Sequence, residues 1–483
     1  MANELPPVLK IIGVMMGVMG ALMMIPALAD LAAQNADWKV FAVAGVSSLF
    51  VGVSLVLAHN DPIKGLNIRQ ALLITNFAWF GLALTGALPF MLSHLQLSFT
   101  DAFFESMSGI TTTGATILTK LDDLPPGLQL WRGMLEWMGG IGIIVTGLSL
   151  LPILNIGGMQ LFKVESFDVE GKVMPRATQI SAGITSIYLI MTLICAFALW
   201  QAGMNGLEAV VHAMTTIATG GFSTSDASVG HFDSATIDTI ITIGMIAGGI
   251  PFLAYLRLFQ GDKESFFRDQ QIRAYLTLLA LSAALVTLWL MLVKGLGLGS
   301  AIRYATFNIT SVMTGTGYST SDYNLWGAFP IALIAILTVV GGCAGSTACG
   351  MKIFRFQILF RAAIRQVRKP LSPSALHPIR YRGQVVDQEM IGSILGFFYL
   401  FMLTIAGLAI ALSATGLDFV TSFSGAATAV ANVGPGLGPI IGPSGTYQSL
   451  SDTAKWLLMF GMLVGRLEIF TVYILFSRYF WRW

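Results

Sequence analysis

Apolar residues in this 483-residue chain are gathered into runs long enough to cross a lipid bilayer as helices. A spanning helix needs about 20 consecutive, mostly apolar residues. The sequence predicts ten such spans, at residues 9–33, 39–59, 70–93, 128–152, 182–202, 235–258, 273–296, 327–360, 388–414 and 453–480. The eighth run is longer than one crossing requires and is interrupted by small residues. The pattern predicts an all-α polytopic membrane protein.

Four further apolar segments are too short to cross, and they lie at residues 99–110, 206–217, 302–313 and 418–430. Segments of this length suit re-entrant half-helices. Each stands between two spans and precedes a glycine-containing loop, so the unit of span, half-helix, loop and span occurs four times. We therefore divide the chain into a leading helix pair and four pore repeats, at residues 1–68, 69–160, 176–262, 270–362 and 385–483.

The four loops after these segments align without a gap. They read TTTGAT, ATGGFS, TGTGYS and ANVGPG, and their shared glycines are Gly114, Gly221, Gly317 and Gly434. Six residues before each glycine stands a hydroxyl residue, which is Ser108, Thr215, Ser311 or Thr428. Repeats at a nearly constant period indicate one structural unit used several times. Non-helical backbone at membrane depth must be buried in protein or line a watery cavity, so we expect the four loops to meet around a common axis that is a pore.

The residue types in these loops suit a dehydrated monovalent cation. Glycine lets the backbone turn successive carbonyl oxygens toward one centre, and rings of carbonyls replace the hydration shell of potassium in selective filters. No loop carries a carboxylate, which a filter for divalent cations would be expected to contain. The alternative is that the glycines only permit close helix packing, but this does not explain four aligned loops. The predicted potassium-binding residues are Thr112, Thr113, Gly114, Thr219, Gly220, Gly221, Gly315, Thr316, Gly317, Asn432, Val433 and Gly434.

Composition and charge exclude several other functions. Hydrophobic residues make up 55% of the chain and charged residues 11%, against roughly a quarter charged in soluble domains. The net charge of +2 argues against a nucleic-acid partner. Most lysines and arginines fall on the side that holds both termini, which is therefore predicted to be cytoplasmic. The sequence contains no nucleotide-binding or metal-ligand motif, so we expect neither an enzyme nor an organic cofactor.

The eighth span contains the stretch GGCAGSTACG at residues 341–350, whose glycines disfavour a regular helix. A broken helix in the inner half of a pore-lining span can obstruct the pore; the alternative is a glycine-rich helix that packs tightly. The predicted gate residues in it are Gly341, Gly342, Gly345, Ser346, Thr347 and Gly350.

One arginine, Arg466, falls near the middle of the last span. A charge at that depth is costly and is a functional candidate. The alternative is a buried ion pair, for which Glu468 is badly placed because residues two apart face different sides of a helix. We also expect a local pair between Arg132 and Glu136, which are four residues apart, and a packing role for His212, Glu105 and Glu208. The ring of Tyr318 is expected to support its loop.

Two mechanisms follow from the residues. The first is a gated, channel-like potassium conductor opened by a cytoplasmic partner. The second is a symporter that couples potassium to sodium or protons, which would need an intramembrane carboxylate as the site of the driving ion. Glu136 and Glu468 are the acids in mid-span positions, and neither lies near a filter loop in sequence.

The four degenerate loops, the leading helix pair and the length resemble the TrkH-type subunit of the bacterial Trk potassium uptake system, in the Trk/Ktr/HKT superfamily. The resemblance implies four non-identical copies of a simple potassium-channel unit, in a pseudo-fourfold arrangement around one pore, in the bacterial inner membrane. It implies that residues 341–350 form a gate below the filter and that Arg466 faces the pore there. It also implies a homodimer and a TrkA-type nucleotide-binding ring as cytoplasmic partner, for which we predict a docking surface on residues 355–382, where seven basic residues lie.

Overall fold

The computed structural model describes residues 4–59, 66–149, 173–371 and 377–482. Within them the regular secondary structure is helical apart from one hairpin, in which Arg380–Tyr381 pairs antiparallel with Gln384–Val385. The predicted all-α membrane fold is confirmed, although the hairpin was not anticipated. The end of the predicted span 128–152 and the predicted boundary at residue 160 lie outside the described residues.

The leading pair consists of Leu5–Leu22, which continues as Met24–Ala32, and of Trp38–Ala58. Glycines let the two helices approach closely: a Cβ on Gly13 or Gly20 would collide with the backbone of the facing helix. Small residues at such contacts are typical of helix packing in membranes, where van der Waals contact replaces the hydrophobic effect as the driving force.

Each repeat contains a first helix, a half-helix and a second helix. The first helices are Ile68–Leu92, Val173–Gln201, Gln270–Lys294 and Gln388–Ser413. The half-helices are Phe99–Ile110, Gly206–Ile217, Leu298–Thr314 and Phe419–Ala431. The second helices are Pro126–Ser149, Ala235–Gly248, Ala328–Val339 and Asp452–Arg466. The remaining α-helices in the described residues are Phe252–Phe259, Lys263–Phe267, Ile353–Arg368, Ile469–Tyr473 and Arg478–Arg482. Five short 3-10 helices lie at Leu121–Asp123, Ser228–Phe232, Tyr323–Trp326, Lys369–Leu371 and Ile474–Phe476.

Local sequence fixes where the half-helices begin. Ser98, Asn205 and Asp418 each cap the first turn by accepting a backbone N–H with the side-chain oxygen, a preference of short polar residues at helix N-termini. The third half-helix follows Gly297, which has no capping side chain, and is longer, with 17 residues against 12 or 13 in the other three. All four predicted half-helices are confirmed.

The four repeats close into a ring. The half-helix of repeat two packs on the second helix of repeat one, that of repeat three on the second helix of repeat two, and that of repeat four on the second helix of repeat three. The half-helix of repeat one packs in turn on the second helix of repeat four. Because every half-helix follows this one rule, all four loops are directed to one central axis.

Six helices of the described residues are long and apolar enough to cross a membrane, or up to eight if two bent pairs each count as one span. The other two of the ten predicted spans correspond to Pro126–Ser149, which carries Arg132 and Glu136, and to the interrupted pair Ala328–Val339 and Ile353–Arg368.

Two predicted spans are not continuous helices. Residues 235–258 bend by 92° between Ala235–Gly248 and Phe252–Phe259, where Pro251 disfavours helical backbone at the residue before it. Residues 453–480 bend by 116° after Asp452–Arg466, where Glu468 adopts a positive φ of 64°. Apolar runs predict the length of a span but carry no information on a bend that tertiary contacts impose.

Candidate ion-conducting site

Each loop begins with the same turn at the end of its half-helix. The amide of the residue before the shared glycine donates to the carbonyl oxygen of the hydroxyl residue six positions before that glycine. The four bonds are Thr113 to Ser108 at 2.8 Å, Gly220 to Thr215 at 2.8 Å, Thr316 to Ser311 at 2.9 Å and Val433 to Thr428 at 3.0 Å. The sequence alignment of the loops is therefore also an alignment of their hydrogen bonds.

The backbone of the loops alternates in a way that few sequences tolerate. The shared glycines have positive φ, at 77° for Gly114, 95° for Gly221, 81° for Gly317 and 86° for Gly434. The residues two positions earlier do as well, at 51° for Thr112, 50° for Thr219, 78° for Gly315 and 52° for Asn432. A β-branched threonine at positive φ is a genuine outlier and marks backbone held by its surroundings. This alternation turns successive carbonyl oxygens to one side of the loop, whereas a β-strand directs them to opposite sides.

The four glycines meet in a closed ring. A Cβ on Gly114 would collide with the carbonyl oxygen of Gly220, one on Gly221 with that of Thr316, and one on Gly317 with that of Val433. A Cβ on Gly434 would lie 2.7 Å from the carbonyl oxygen of Thr113, which completes the circle. Each glycine thus faces the residue before the glycine of the next loop. A cavity of about 260 Å³ lies on the outer side of the ring and is lined by Gly114, Gly221, Gly317 and Pro435 among others.

The interruption in repeat three forms a loop closed at its neck. Gly341 donates its amide to the carbonyl of Met351 at 2.9 Å, and Met351 donates to Val339 at 3.1 Å. Gly345 and Gly350 have positive φ, at 79° and 71°. Residues 341–350 are therefore not a tightly packed glycine-rich helix, and that alternative is wrong.

This loop lies directly against the inner ends of the filter loops. The hydroxyl of Thr347 donates to the carbonyl oxygens of Ile217 and Gly248, at 2.9 and 3.0 Å. Cys349 donates its amide to Thr314 at 3.4 Å and places its sulfur 3.4 Å from the hydroxyl of Thr112. The loop therefore lies across the inner side of the ring. It contacts repeats one and two and the end of the half-helix of its own repeat.

Arg466 holds this loop from the neighbouring repeat, repeat four. One guanidinium nitrogen lies 2.8 Å from the sulfur of Cys349 and 3.4 Å from the carbonyl oxygen of Thr347, and the other donates to Gly139 at 3.1 Å. Arg466 is 5% exposed, and its Nε has no hydrogen-bond partner among the residues that the structure describes. In the described part of the chain no carboxylate forms an ion pair with Arg466, since Glu468 pairs instead with Arg355 at 2.7 Å. Lys352 donates from Nζ to the carbonyl of Ala348, which ties the end of the loop.

Comparison with known proteins matches this arrangement to one family. The TrkH family profile, described as a cation transport protein, matches residues 38–481. The chain belongs to the TrkH family of cation transport proteins. Similar proteins include the Trk system potassium uptake protein TrkI of Halomonas elongata, 44% identical over 99% of this chain and 97% of that protein. The Trk system potassium uptake protein TrkH of Escherichia coli is 36% identical over 98% of each chain.

A solved structure agrees over the same length. The crystal structure of the potassium transporter TrkH from Vibrio parahaemolyticus superimposes with a TM-score of 0.92 and 33% identity, covering 99% of this chain and all of that chain. The resemblance drawn from the filter loops and the leading helix pair is thus confirmed. Members of the TrkH family are transport proteins rather than enzymes, and this chain is a membrane protein of that family.

Glu136 is the residue of this TrkH-family chain whose position the sequence did not predict. Both of its carboxylate oxygens lie 3.1 Å from the amide nitrogen of Phe222, the residue after the glycine of loop two. The predicted local pair between Arg132 and Glu136 is wrong, because Arg132 donates from Nε to Glu105 at 2.8 Å. Glu136 lies far from loop two in sequence, but the fold brings its carboxylate into contact with that loop. The contact joins repeats one and two, so no local pattern could have revealed it.

The other polar candidates of the half-helices have partners within the protein. Glu208 caps the second half-helix through a reciprocal pair of hydrogen bonds with Asn205. His212 contacts Ser223 through Nε2 at 3.0 Å, and Glu105 accepts from Thr116 at 2.9 Å. The hydroxyl of Tyr318 bonds to Thr215 of the preceding repeat, as a supporting role requires.

Proposed function

We propose that this chain mediates potassium uptake through a selective, channel-like pore whose flow is gated from the cytoplasm. The observation that carries the proposal is the closed ring of four loops, each with the same alternating backbone and each packed against the next. The names of the relatives, which describe potassium uptake proteins, support potassium as the transported ion. The ion is cargo, and no organic cofactor enters the proposal.

In this proposal the filter consists of the carbonyl oxygens around the four glycines. Such oxygens replace the water that a potassium ion must lose in order to enter. The half-helices end at the loops, so the partially negative ends of their dipoles face the axis and favour a cation there. Residues 112–114, 219–221, 315–317 and 432–434 are the proposed binding segments.

The loop of residues 341–350 is the proposed gate. Its contacts with Thr112, Ile217 and Thr314 put it across the inner side of the ring, and Arg466 both fixes it and adds a positive charge to the path. For a unit charge about 4 Å from a passing cation, an effective dielectric near 20 gives roughly 4 kcal/mol of repulsion. Displacement of the loop together with Arg466 would therefore open the path and lower the electrostatic barrier.

A second candidate function is symport, in which potassium moves with sodium or a proton. The position of Glu136 favours it, because this buried carboxylate contacts the backbone of loop two directly. An intramembrane carboxylate next to the conduction path is the kind of site that a driving ion would occupy. The bonds to Phe222 also suit a purely structural role, in which Glu136 keeps the loop in shape.

Further parts of the proposal concern the surroundings of the pore. We place the chain in a bacterial inner membrane with both termini in the cytoplasm, as the distribution of lysine and arginine indicates. A homodimer and a TrkA-type regulatory ring are the proposed protein partners. The proposed docking surface includes Arg361, Arg365 and Arg368, which follow the gate along the helix Ile353–Arg368.

Current measurements on the full chain in planar bilayers test the function. With opposed gradients of potassium, sodium and protons, a potassium channel reverses near the potassium equilibrium potential whatever the other two gradients are. A reversal potential that shifts with the sodium or proton gradient would establish coupling, and the Glu136→Gln variant would then show whether Glu136 holds the driving ion. Equal permeability to potassium and sodium would overturn the proposed selectivity.

A further inference from the structure

The position nine residues before each shared glycine is occupied by a different residue in every repeat. These residues are Glu105, His212, Asn308 and Gly425. All four lie on the half-helices, and the three with polar side chains are fully buried at 0% exposure. The composition of the filter loops gives no reason for this variation, but the contacts of the side chains do.

In repeats one and two the side chain contacts the part of the loop just beyond the glycine. Glu105 accepts from the hydroxyl of Thr116 at 2.9 Å and from the amide of Ile117 at 3.0 Å. His212 lies 3.0 Å from the hydroxyl of Ser223. Thr116 and Ser223 are both the second residue after their glycine, so the two contacts are equivalent.

Repeat three makes the same contact with an amide. Asn308 donates from Nδ2 to the hydroxyl of Thr320 at 2.9 Å, and its Oδ1 accepts from the amide of Thr320 at 3.3 Å. Thr320 is the third residue after Gly317, as Ile117 is after Gly114. The partner is again the outer limb of the loop, by which we mean the two or three residues that follow the shared glycine.

Repeat four has no side chain at this position but restores the contact from the neighbouring residue. Ser424, one position before Gly425, accepts from the amide of Leu437 at 2.9 Å. Leu437 is the third residue after Gly434. Four chemically different groups therefore tie the outer limb of each loop to its own half-helix: a carboxylate, an imidazole, an amide and a hydroxyl.

The physical consequence concerns the glycine carbonyls. Each loop is held on its inner side by the bond to the hydroxyl residue of the half-helix and on its outer side by these contacts, so the shared glycine is fixed from both ends. Hydrogen bonds to an ionised group are roughly twice as strong as neutral ones. Glu105, which is also paired with Arg132 at 2.8 Å, would then hold its limb more firmly than Ser424 holds the limb of repeat four.

We propose that Glu105, His212, Asn308 and Ser424 are positioning residues that set the ion selectivity of the filter by clamping the outer limb of each loop. This inference rests on the proposed function, because it assigns the support of the same filter. The clamps do not touch the ion. They act by limiting how far the glycine carbonyls can move when a smaller cation, such as sodium, occupies the ring.

Repeat three offers the cleanest test, since Asn308 is neutral and leaves no charged partner behind. The variants are Asn308→Leu, which keeps the volume and removes both bonds, Thr320→Val, which removes the hydroxyl alone, and the double variant. We expect Asn308→Leu to lower the potassium-to-sodium permeability ratio by roughly 2- to 10-fold, the range that the loss of one or two hydrogen bonds allows. Thr320→Val should have a smaller effect in the same direction, and the double variant should be no worse than Asn308→Leu.

Thr287→Val is the matched control, because the hydroxyl of Thr287 bonds within its own helix, to Ala283 at 2.8 Å, and not to a filter loop. All variants are reconstituted as the full chain and measured by reversal potential. An unchanged ratio in Asn308→Leu, or independent additive effects of the two substitutions, would overturn the clamp. If Asn308→Leu does not insert, an unchanged ratio in Thr320→Val has the same meaning. An unselective wild-type chain would instead refute the proposed function.

Discussion

The four repeats are alike in their outer half, which contains the half-helices and the glycine loops, and differ in their inner half, which contains the ends of the second helices. In the outer half, all four loops share the bond to the hydroxyl residue and the positive φ at two positions. In the inner half, each second helix differs from the others. That of repeat one continues to Ser149 in the described residues, and that of repeat three is interrupted over residues 340–352. The second helix bends by 92° in repeat two and by 116° in repeat four. The four repeats therefore share one backbone conformation in the ring of loops but have four different structures on its inner side.

The difference follows from what each half is proposed to do. A cation on the axis needs oxygen atoms at similar distances on all sides, so every repeat must supply the same backbone. An obstruction needs to be present once, and a chain with four covalently distinct repeats can place it in one of them. Arg466 of repeat four then meets the loop of repeat three, an interaction that four identical subunits could form only in four copies.

Gly221→Ser should produce the largest effect, since it breaks the repetition of the outer half. Its side chain would collide with the carbonyl of Thr316 and force a strained backbone, which costs on the order of 1–3 kcal/mol before any clash is counted. We expect the potassium-to-sodium permeability ratio to fall by roughly tenfold or more, and Gly434→Ser to act in the same direction. The measurement is the reversal potential with potassium and sodium on opposite sides.

Gly295→Ser is the control for backbone strain, because Gly295 also has positive φ, at 68°, but nothing lies within 4 Å of its Cβ position. A permeability ratio that stays at the wild-type value in both Gly221→Ser and Gly434→Ser would remove these glycines from the filter.

Shortening the interruption of repeat three tests the inner half. Because Gly341 and Met351 are bonded at the neck, replacing residues 343–349 by two glycines should leave the flanking helices in place. We expect potassium flux to rise by about tenfold, which corresponds to about 1.4 kcal/mol of barrier, with selectivity unchanged. Flux is measured as rubidium uptake into liposomes, normalised to inserted protein. A loss of flux in a properly inserted variant would assign the loop a structural role.

Arg466→Gln should raise flux by a smaller factor, roughly threefold, because the loop stays in place and continues to limit the flux after the charge is removed and the hold on Thr347 and Cys349 is weakened. Arg466→Lys should preserve most of the electrostatic barrier, because the charge remains. Both variants are compared with the wild type for flux and permeability ratio. Equal or lower flux in the glutamine variant, at normal protein levels, would contradict a role in the barrier.

Neutralising Arg361, Arg365 and Arg368 together to glutamine should have the least effect on conduction by the chain alone. Arg368 is exposed, whereas Arg361 and Arg365 are half-buried and donate to the carbonyl of Arg380 and to Gln388. All three lie on the helix that follows the loop of residues 341–350 and not in the ring of four loops, so the ring should be unaffected. We expect weaker co-purification with a TrkA-type partner and an unchanged permeability ratio. Arg268→Gln is the control, since that arginine is exposed at the end of another short helix and pairs with Glu264. Undiminished binding of the triple variant would place the docking surface elsewhere.

Much of the outer half could be predicted from the sequence because its information is local. Gly114, Gly221, Gly317 and Gly434 stand where the backbone has positive φ, and few residues other than glycine adopt that conformation readily. The residue types of Thr112 and Thr219 do not indicate a positive φ. Their positive φ is imposed by surrounding contacts against the preference of a β-branched residue, so the sequence alone could not indicate it.

The apolar runs, the half-helices and the spacing of the glycines determined the membrane fold and the number of repeats, and they predict a filter. The last apolar run also identified Arg466 as a functional candidate, because a charge within a membrane span is costly. Only the tertiary structure decided the closed order of the ring, the bends after Gly248 and Arg466, and the contact of Glu136 with loop two. Those features depend on residues up to several hundred positions apart, whose distances are set by packing between repeats and not by the pattern within any one of them.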